Sequence, residues 1–295
     1  MRIVLLLLAG AVTAMACGRN NNGADAFGSI ETDDVIISSE IGGKLVKLTV
    51  DEGDRLILDQ SVGLVDTIPL QLKLNQLYAQ VDVARAKLQG IDAQVAVQDE
   101  QVKLAKIEFD RVKRLLADSA ATQRQFDDVE GRYSIAIRQR ASIGVQRNGV
   151  TAEIETLNAQ ADQLKDQIQR CSIKSPLTGT VITKYVSQGE LVVTGKPVCR
   201  VAMLDTVYAR VYVDETQLSG FNLGKKLKVF VDGADGKLIG NEGVITWISP
   251  EAEFTPKIIQ TRNERVNLVY AVKVKIPNVN GMYKIGMPVE VKKVD

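Results

Sequence analysis

At 295 residues the chain has room for two or three modules. Its 37 Lys and Arg against 36 Asp and Glu leave a net charge of +1, so nothing points to nucleic acid. There is no histidine, which removes the commonest general base and the commonest metal ligand, and three scattered cysteines make no zinc site. An enzyme would have to work with carboxylates alone, and no carboxylate pair stands in a catalytic context. We therefore assign no catalytic residue, no metal and no cofactor, and read the protein as non-enzymatic.

In chain order, Arg2 is followed by the apolar run Ile3 to Ala16, of export-signal length and too short to span a bilayer as a helix. Cys17 follows at once and resembles the lipidated cysteine of bacterial lipoproteins, which implies a lipid anchor; Ala14-Met15-Ala16 also suits ordinary signal cleavage. Residues 1–17 thus form a signal peptide or lipobox. Residues 18–30, rich in Asn, Gly and Asp, read as a flexible tether.

Residues 31–68 and 171–204 carry one motif twice. Gly43 to Leu56 and Gly179 to Val192 align with Gly, an aliphatic pair, Val, Gly, an acid and a final aliphatic at the same spacings. The turn glycines are Gly43 and Gly53 in the first copy, Gly179 and Gly189 in the second. Each copy resembles half of a lipoyl or biotinyl carrier domain. The place where a carrier of an enzyme complex would present its modifiable lysine is taken by a hundred-residue insertion, so the carrier reading fails. Two half-barrels can close on each other only if the insertion leaves and returns at one point.

That insertion, residues 69–170, carries no proline between Pro69 and Pro176 and holds two heptad seams. The first runs from Leu74 to Leu116 with Gln98 as its polar member; the second runs from Phe126 to Ile168, interrupted by Arg140 and Arg147. Two equal arms around a break at Ala117 to Thr122 predict an antiparallel helical hairpin, each arm roughly 70 Å long. The fold-back places Gln98 between the two seam arginines, as a polar layer fixing register or with the arginines turned outward. Cys171 and Cys199 flank the second half-motif, either as a disulfide or as two buried thiols.

Residues 205–295 read as all-β. Runs at Val207 to Val213, Leu227 to Val231, Val244 to Ile248, Leu268 to Ile276 and Val289 to Val291 lie between turn signals at Asp232-Gly233, Asp235-Gly236, Gly240-Asn241 and Asn280-Gly281. We expect a short helix at Asp214 to Leu218, Trp247 in the core, and a strand-poor excursion over Ser249 to Asn267. The predicted class is α+β: a mainly-β lipoyl-like domain split by a long antiparallel α-helical coiled-coil hairpin, then a small antiparallel β-barrel.

This order resembles the periplasmic adaptors, or membrane fusion proteins, of the haemolysin-secretion D family. Ile173 to Val181 looks like the family's re-entry into its second lipoyl half, departing from it at Ser175, Leu177 and Thr178; Gly286-Met287-Pro288-Val289 is similar to its closing strand, and Gly224-Lys225-Lys226-Leu227 to its barrel turn. Phe254 to Lys257 and Asn267 to Tyr270 look like adaptors of ATP-binding-cassette (ABC) exporters; a proton-driven (RND-type) pump is the alternative partner. The resemblance implies a subunit at the periplasmic face of the inner membrane, bound to an ABC permease and ATPase, assembled as a trimer or hexamer, and reaching a TolC-type outer-membrane channel. It also implies that Arg111, Leu115 and Thr122 at the hairpin tip touch that channel. Independently, Arg111 and Leu115 lie one turn apart off the seam, where a leucine has no partner in its own hairpin. Thr122 with Gln125 is also a capping box that would start the second arm unaided.

Overall fold

The computed structural model describes residues 24–233, 238–254 and 268–294. The signal run, Cys17 and the first part of the tether lie outside the described residues, as do Asp235-Gly236 and residues 255–267. Among the described residues, no helix is long and apolar enough to cross a membrane.

The chain enters through β1 (Ala26–Glu31), which corrects the tether: its last residues are a strand. Ala26 and Ile30 point inward and are buried, while Phe27 stays on the surface. Two inward apolar residues among Gly, Ser and Asp are a weak sequence signal. The strand forms because the C-terminal barrel needs it to close.

The lipoyl-like domain begins with β2 (Asp34–Ser38), β3 (Gly43–Leu48), β4 (Arg55–Leu56) and β5 (Ser61–Val65). The hairpin follows, as α1 (Ile68–Ala117) and α2 (Gln123–Arg170). The second half is β6 (Ser172–Lys174), β7 (Gly179–Lys184), β8 (Leu191–Val192) and β9 (Pro197–Ala202). Two four-stranded sheets result, β2-β9-β7-β4 and β6-β5-β3-β8. Exchanging each strand for its repeat equivalent converts one order into the other. Each sheet mixes strands from both halves, so neither half is a sheet without the other.

Reciprocal hydrogen bonds lock the halves. Gly53 N–H donates to Val181 C=O and Gly189 N–H to Leu45 C=O, at 2.9 and 2.7 Å. Ser39 and Ser175, both buried, each donate a hydroxyl to the carbonyl two residues on, Ile41 and Leu177, at 2.7 Å. Inside lies a core that includes Leu45, Leu56, Val62, Val65, Val181, Val198 and Val201. Cys171 and Cys199 are in it as free thiols, so the disulfide alternative is set aside.

The barrel is closed in the order β1-β10-β13-β12-β11-β14. Its remaining strands are β10 (Thr206–Val213), β11 (Lys226–Asp232), β12 (Leu238–Phe254), β13 (Leu268–Pro277) and β14 (Pro288–Lys293), with α3 (Glu215–Leu218) capped by Asp214. Closure leaves no free strand edge in the sheet. Three expectations are corrected here. β12 runs on to Phe254, so the described part of the supposed excursion is strand, bent by register shifts. Gly240-Asn241 is no turn: Gly240 sits opposite Phe230 in the ladder, and a Cβ there would come 2.4 Å from the Val229 carbonyl oxygen. Trp247 is 37% exposed, because a register shift between Ile245 and Trp247 breaks the alternation that would have kept both inside; the Lys273 ammonium covers its ring at 5.8 Å.

In the hairpin every seam residue read from the sequence is at least half-buried except Arg140 and Arg147. These two correct the polar-layer expectation. They leave the seam and bridge the arms, Arg147 Nε to Asp92 Oδ1 at 2.6 Å and Arg140 Nε to Asp99 Oδ1 at 2.9 Å. Each partner is seven residues from its counterpart, so both bridges define one antiparallel register without slip. Gln98 bonds neither arginine; its side-chain oxygen is buried without a hydrogen-bond partner.

Candidate docking tip

The hairpin's roots are fixed where it leaves the body. Pro69 occupies the first turn of α1, where a missing N–H costs nothing. Val65 N–H donates to Cys171 C=O at 2.9 Å, which ties the residues just before and just after the hairpin together. Arg170, at the end of α2, bonds Glu40 of the lipoyl-like domain and Asp166 of its own helix, each at 2.7 Å. These two carboxylates raise its pKa above the ordinary arginine value.

The free end is built by two caps. Ser119 adopts φ 57° beyond the last turn of α1; its N–H donates to Leu116 C=O at 3.0 Å, and Ala120 N–H donates to Leu115 C=O at 2.8 Å. This is a Schellman closure with serine in the left-handed position where glycine is usual. Thr122 then caps α2: its hydroxyl oxygen accepts from Gln125 N–H at 3.3 Å, and Gln125 Oε1 accepts from Thr122 N–H at 2.8 Å. Below the tip, Phe109 packs against Phe126 at 5.5 Å and Tyr133 at 5.4 Å between ring centroids. That aromatic knot joins the arms where a two-helix pair would otherwise fray.

Of the three tip residues singled out by sequence, Arg111 and Leu115 share an outward face of α1. Leu115 is 41% exposed, and the Arg111 guanidinium is held by Glu108, one turn back, not by Asp110. Thr122 lies across the turn on the other arm with its hydroxyl engaged in the cap. The exposed pair is therefore a leucine beside a positioned arginine, an arrangement that fits a shallow apolar pocket rimmed by carboxylates or carbonyls. The sequence reading missed the exposed Leu104 and Ile107 further down the same arm. Their signal was available: both are apolar and both lie off the seam.

The four turn glycines fall into two pairs. Gly53 and Gly189 have φ of 96° and 92°, which only glycine adopts freely, and the acid after each accepts a backbone N–H three residues earlier: Asp54 from Asp51 at 2.8 Å, Glu190 from Ser187 at 2.9 Å. Gly43 and Gly179 start equivalent strands; a Cβ on Gly179 would come 2.6 Å from the Ala202 carbonyl oxygen, and one on Gly43 would meet a Val65 methyl at 2.7 Å. All four shape the body and hold the hairpin's base. Among the described residues, no cluster of His, Cys, Asp and Glu is placed to hold a metal ion.

A lipoyl-like body split by a helical hairpin and followed by a closed barrel defines an adaptor. The chain belongs to the membrane fusion proteins, the periplasmic adaptors of efflux systems: the family model described as RND MFP, barrel-sandwich hybrid domain, matches residues 33–204, more than half of it. Over nearly its whole length it is similar to a UPF0194 membrane protein of Citrobacter koseri, at 28% identity with 97% of this chain and 96% of that one covered. It is equally similar to the UPF0194 membrane protein YbhG of Salmonella typhi, at 28% identity over 98% and 96%. Among solved structures, MacA from Actinobacillus actinomycetemcomitans matches with a TM-score of 0.61 at 19% identity, covering 90% of this chain and 76% of that one, a likeness of fold alone.

Proposed function

We propose that this adaptor is held at the outer face of the inner membrane through a lipidated Cys17, seats its β-domains on an ABC permease and its ATPase, and presents the hairpin tip to a TolC-type outer-membrane channel. Its work is geometric. The reciprocal locking of the two lipoyl halves fixes the base of a lever roughly 75 Å long, from about 50 residues rising 1.5 Å each. The observation that carries the reading is the Arg111 and Leu115 pair, one turn apart and exposed near the free end of that lever. Thr122 contributes by setting the angle at which α2 leaves the tip.

Arg111→Glu combined with Leu115→Ser tests the contact. The double variant keeps its fold by circular dichroism, loses crosslinking to the channel and loses export. Full export with the double variant would refute the role. Mass spectrometry of the mature N-terminus tests the anchor: a diacylglyceryl Cys17 supports it, and an unmodified cysteine removes it.

A second reading of the inner-membrane partner has one observation in its favour. The matching family model carries RND in its description, which suits a proton-driven pump. Co-purification from detergent-solubilised membranes separates the two: an ATPase-bearing permease supports the first reading, a large proton-driven pump the second.

A further inference from the structure

One stretch of the barrel's outer wall departs from the polar exterior that strand alternation ordinarily gives a sheet packed on one side. Across β1, β14, β11 and β12 the outward residues of one row are Phe27, Glu290, Phe230 and Gly240, each paired with the next. The row nearer the lipoyl-like domain reads Ser29, Pro288, Asp232 and Leu238. Phe27 is 59% exposed and Leu238 42%. Alternation explains why these two point outward; it does not explain why they are apolar.

Between these side chains runs a groove of about 420 Å³, lined chiefly by Phe27, Phe230, Leu238, Pro288, Asp232 and Glu290. Neighbouring strands lie about 4.8 Å apart, so Glu290 has a phenylalanine on either side and the Cα atoms of Phe27 and Phe230 stand roughly 10 Å from each other. The Phe230 ring leans toward β12: a Cβ on Gly240 would meet its Cδ1 at 2.6 Å and its Cγ at 3.1 Å. Glycine at 240 lets the ring tip aside and leaves the space above the Glu290 carboxylate open.

Both charged residues in the lining are acidic. Glu290 is half-buried and Asp232 exposed, and neither carboxylate makes an ion pair among the described residues. Lys292, two residues beyond Glu290 on the same strand, places its ammonium 5.8 Å from the Phe230 ring centroid, so that ring already serves as a platform for a cation.

A carboxylate partly withdrawn from water, with an aromatic ring on each side and apolar walls at Leu238 and Pro288, complements an organic cation with an apolar body. The carboxylate meets the charge, the rings meet the polarised groups around it, and the walls meet the remainder. An anion would face two carboxylates, and a neutral apolar molecule would leave Glu290 desolvated without a partner. The volume suits a drug-sized molecule, and four strands of one protomer bound it.

We infer that this groove is a binding site for a small lipophilic organic cation, such as a tertiary or quaternary amine or a phosphonium, held by Glu290 between Phe27 and Phe230. The site makes no use of the hairpin, so it stands or falls apart from the docking of the tip, and it does not depend on which transporter the adaptor serves.

Tetraphenylphosphonium and tetraphenylborate share size and shape and differ in the sign of their charge, which makes them matched probes. Calorimetry on the purified full chain is expected to show saturable binding of the phosphonium and none of the borate at the same concentration. Glu290→Gln keeps the shape of the groove and should weaken phosphonium binding about tenfold, as loss of a charge-assisted contact does. Phe27→Ser, at an exposed position, should weaken it about threefold. Equal binding of the two ions, or full affinity in Glu290→Gln, would overturn the inference. Should Glu290→Gln lower the melting midpoint, Phe27→Ser decides: full affinity there overturns the site as well. A benzophenone side chain at Leu238 tests the rival occupants in membranes. Its crosslinks to polypeptide are expected to be absent or suppressed by excess phosphonium; crosslinks to a permease, to a second copy or to the chain's own N-terminal residues that survive the excess would give the groove to a polypeptide and overturn the proposal. Arg111→Glu with Leu115→Ser should lose export and bind the phosphonium normally, so failure of the channel contact and failure of this site are separate results.

Discussion

The lipoyl-like body and the hairpin bury apolar surface in opposite ways. In the body, strands from both repeat halves interleave, and Leu45, Val62, Val65, Val198, Cys199 and Val201 have no exposed surface. In the hairpin two helices share one seam, and most seam residues stay half-buried because a helix pair covers only one side of each arm. Arg–Asp bridges between the arms set its register, and their side chains remain about half exposed, so they contribute alignment more than stability. The difference assigns tasks: the body supplies the free energy and fixes the base, while the hairpin holds a shape and leaves surface free for other molecules.

The largest expected effect contrasts the two regions directly. Leu45→Ala opens a cavity in the body and lowers unfolding stability by about 3 kcal/mol in urea titration. Leu88→Ala, at a half-buried seam position, costs about 1 kcal/mol, since solvent already reaches part of the side chain. Equal losses would break the contrast. Alkali separates the regions next. Burial pushes the Cys199 thiol up to about 11, and burial with the nearby Asp66 charge raises Cys171. An unfolded thiol ionises near 8.5, so the folded state is the one that keeps the proton. The stabilisation is intact below that pH and is lost as pH climbs toward 11, amounting to roughly 3 kcal/mol at the top of the window. Hydrogen exchange across that window should loosen β6 and β9 before the hairpin, and Cys199→Ala should flatten the dependence. Loosening that began in α1 and α2 would contradict the assignment.

A gain is expected at Gln98. Its buried oxygen has no hydrogen-bond partner, so Gln98→Leu removes a desolvation cost and stabilises the hairpin by about 1 kcal/mol, with the register held by the two Arg–Asp bridges. A loss of stability would mean that the amide is what aligns the arms.

What the sequence made legible follows from which signals are local. Hydrophobic periodicity located the seams residue by residue, since a helix pair has one buried stripe and every seam position must lie on it. The glycine spacing located the repeat, and Thr122 with Gln125 located the start of α2. Three kinds of feature were hidden. The strand β1 depends on a barrel whose other strands begin 175 residues later in the chain. The outward turn of Trp247 depends on a register shift that no residue type announces. The arginine bridges depend on side-chain reach from positions the heptad counts as seam. The tip was legible as a location, because the two arms had to turn somewhere between Ala117 and Thr122, but its Schellman closure was not, because serine stands where glycine would have signalled it. Likewise Ser39 and Ser175 precede Gly43 and Gly179 by four residues and repeat the same buried bond, yet the surrounding residues differ enough to hide the match.

The smallest effect sharpens the contrast most closely, because one chemical change is made in each region. Asp59 in the body and Ser119 at the tip are the two non-glycine residues with positive φ, 63° and 57°, among the described residues. The turn equivalent to Asp59 in the other repeat half has Gly195 at φ 83°, which shows what the backbone there prefers. Glycine relieves left-handed strain by up to about 1 kcal/mol at either site, partly offset by the greater freedom of an unfolded glycine. In the body every cooperative contact depends on the fold as a whole, so Asp59→Gly should raise the global urea midpoint slightly. At the tip the last turn opens without unfolding the rest, so Ser119→Gly should slow exchange of the Ser119-to-Ala120 amide region while leaving the midpoint unchanged. If Ser119→Gly moved the midpoint as far as Asp59→Gly, the tip would be folding as one unit with the body, and the hairpin would be no separate lever.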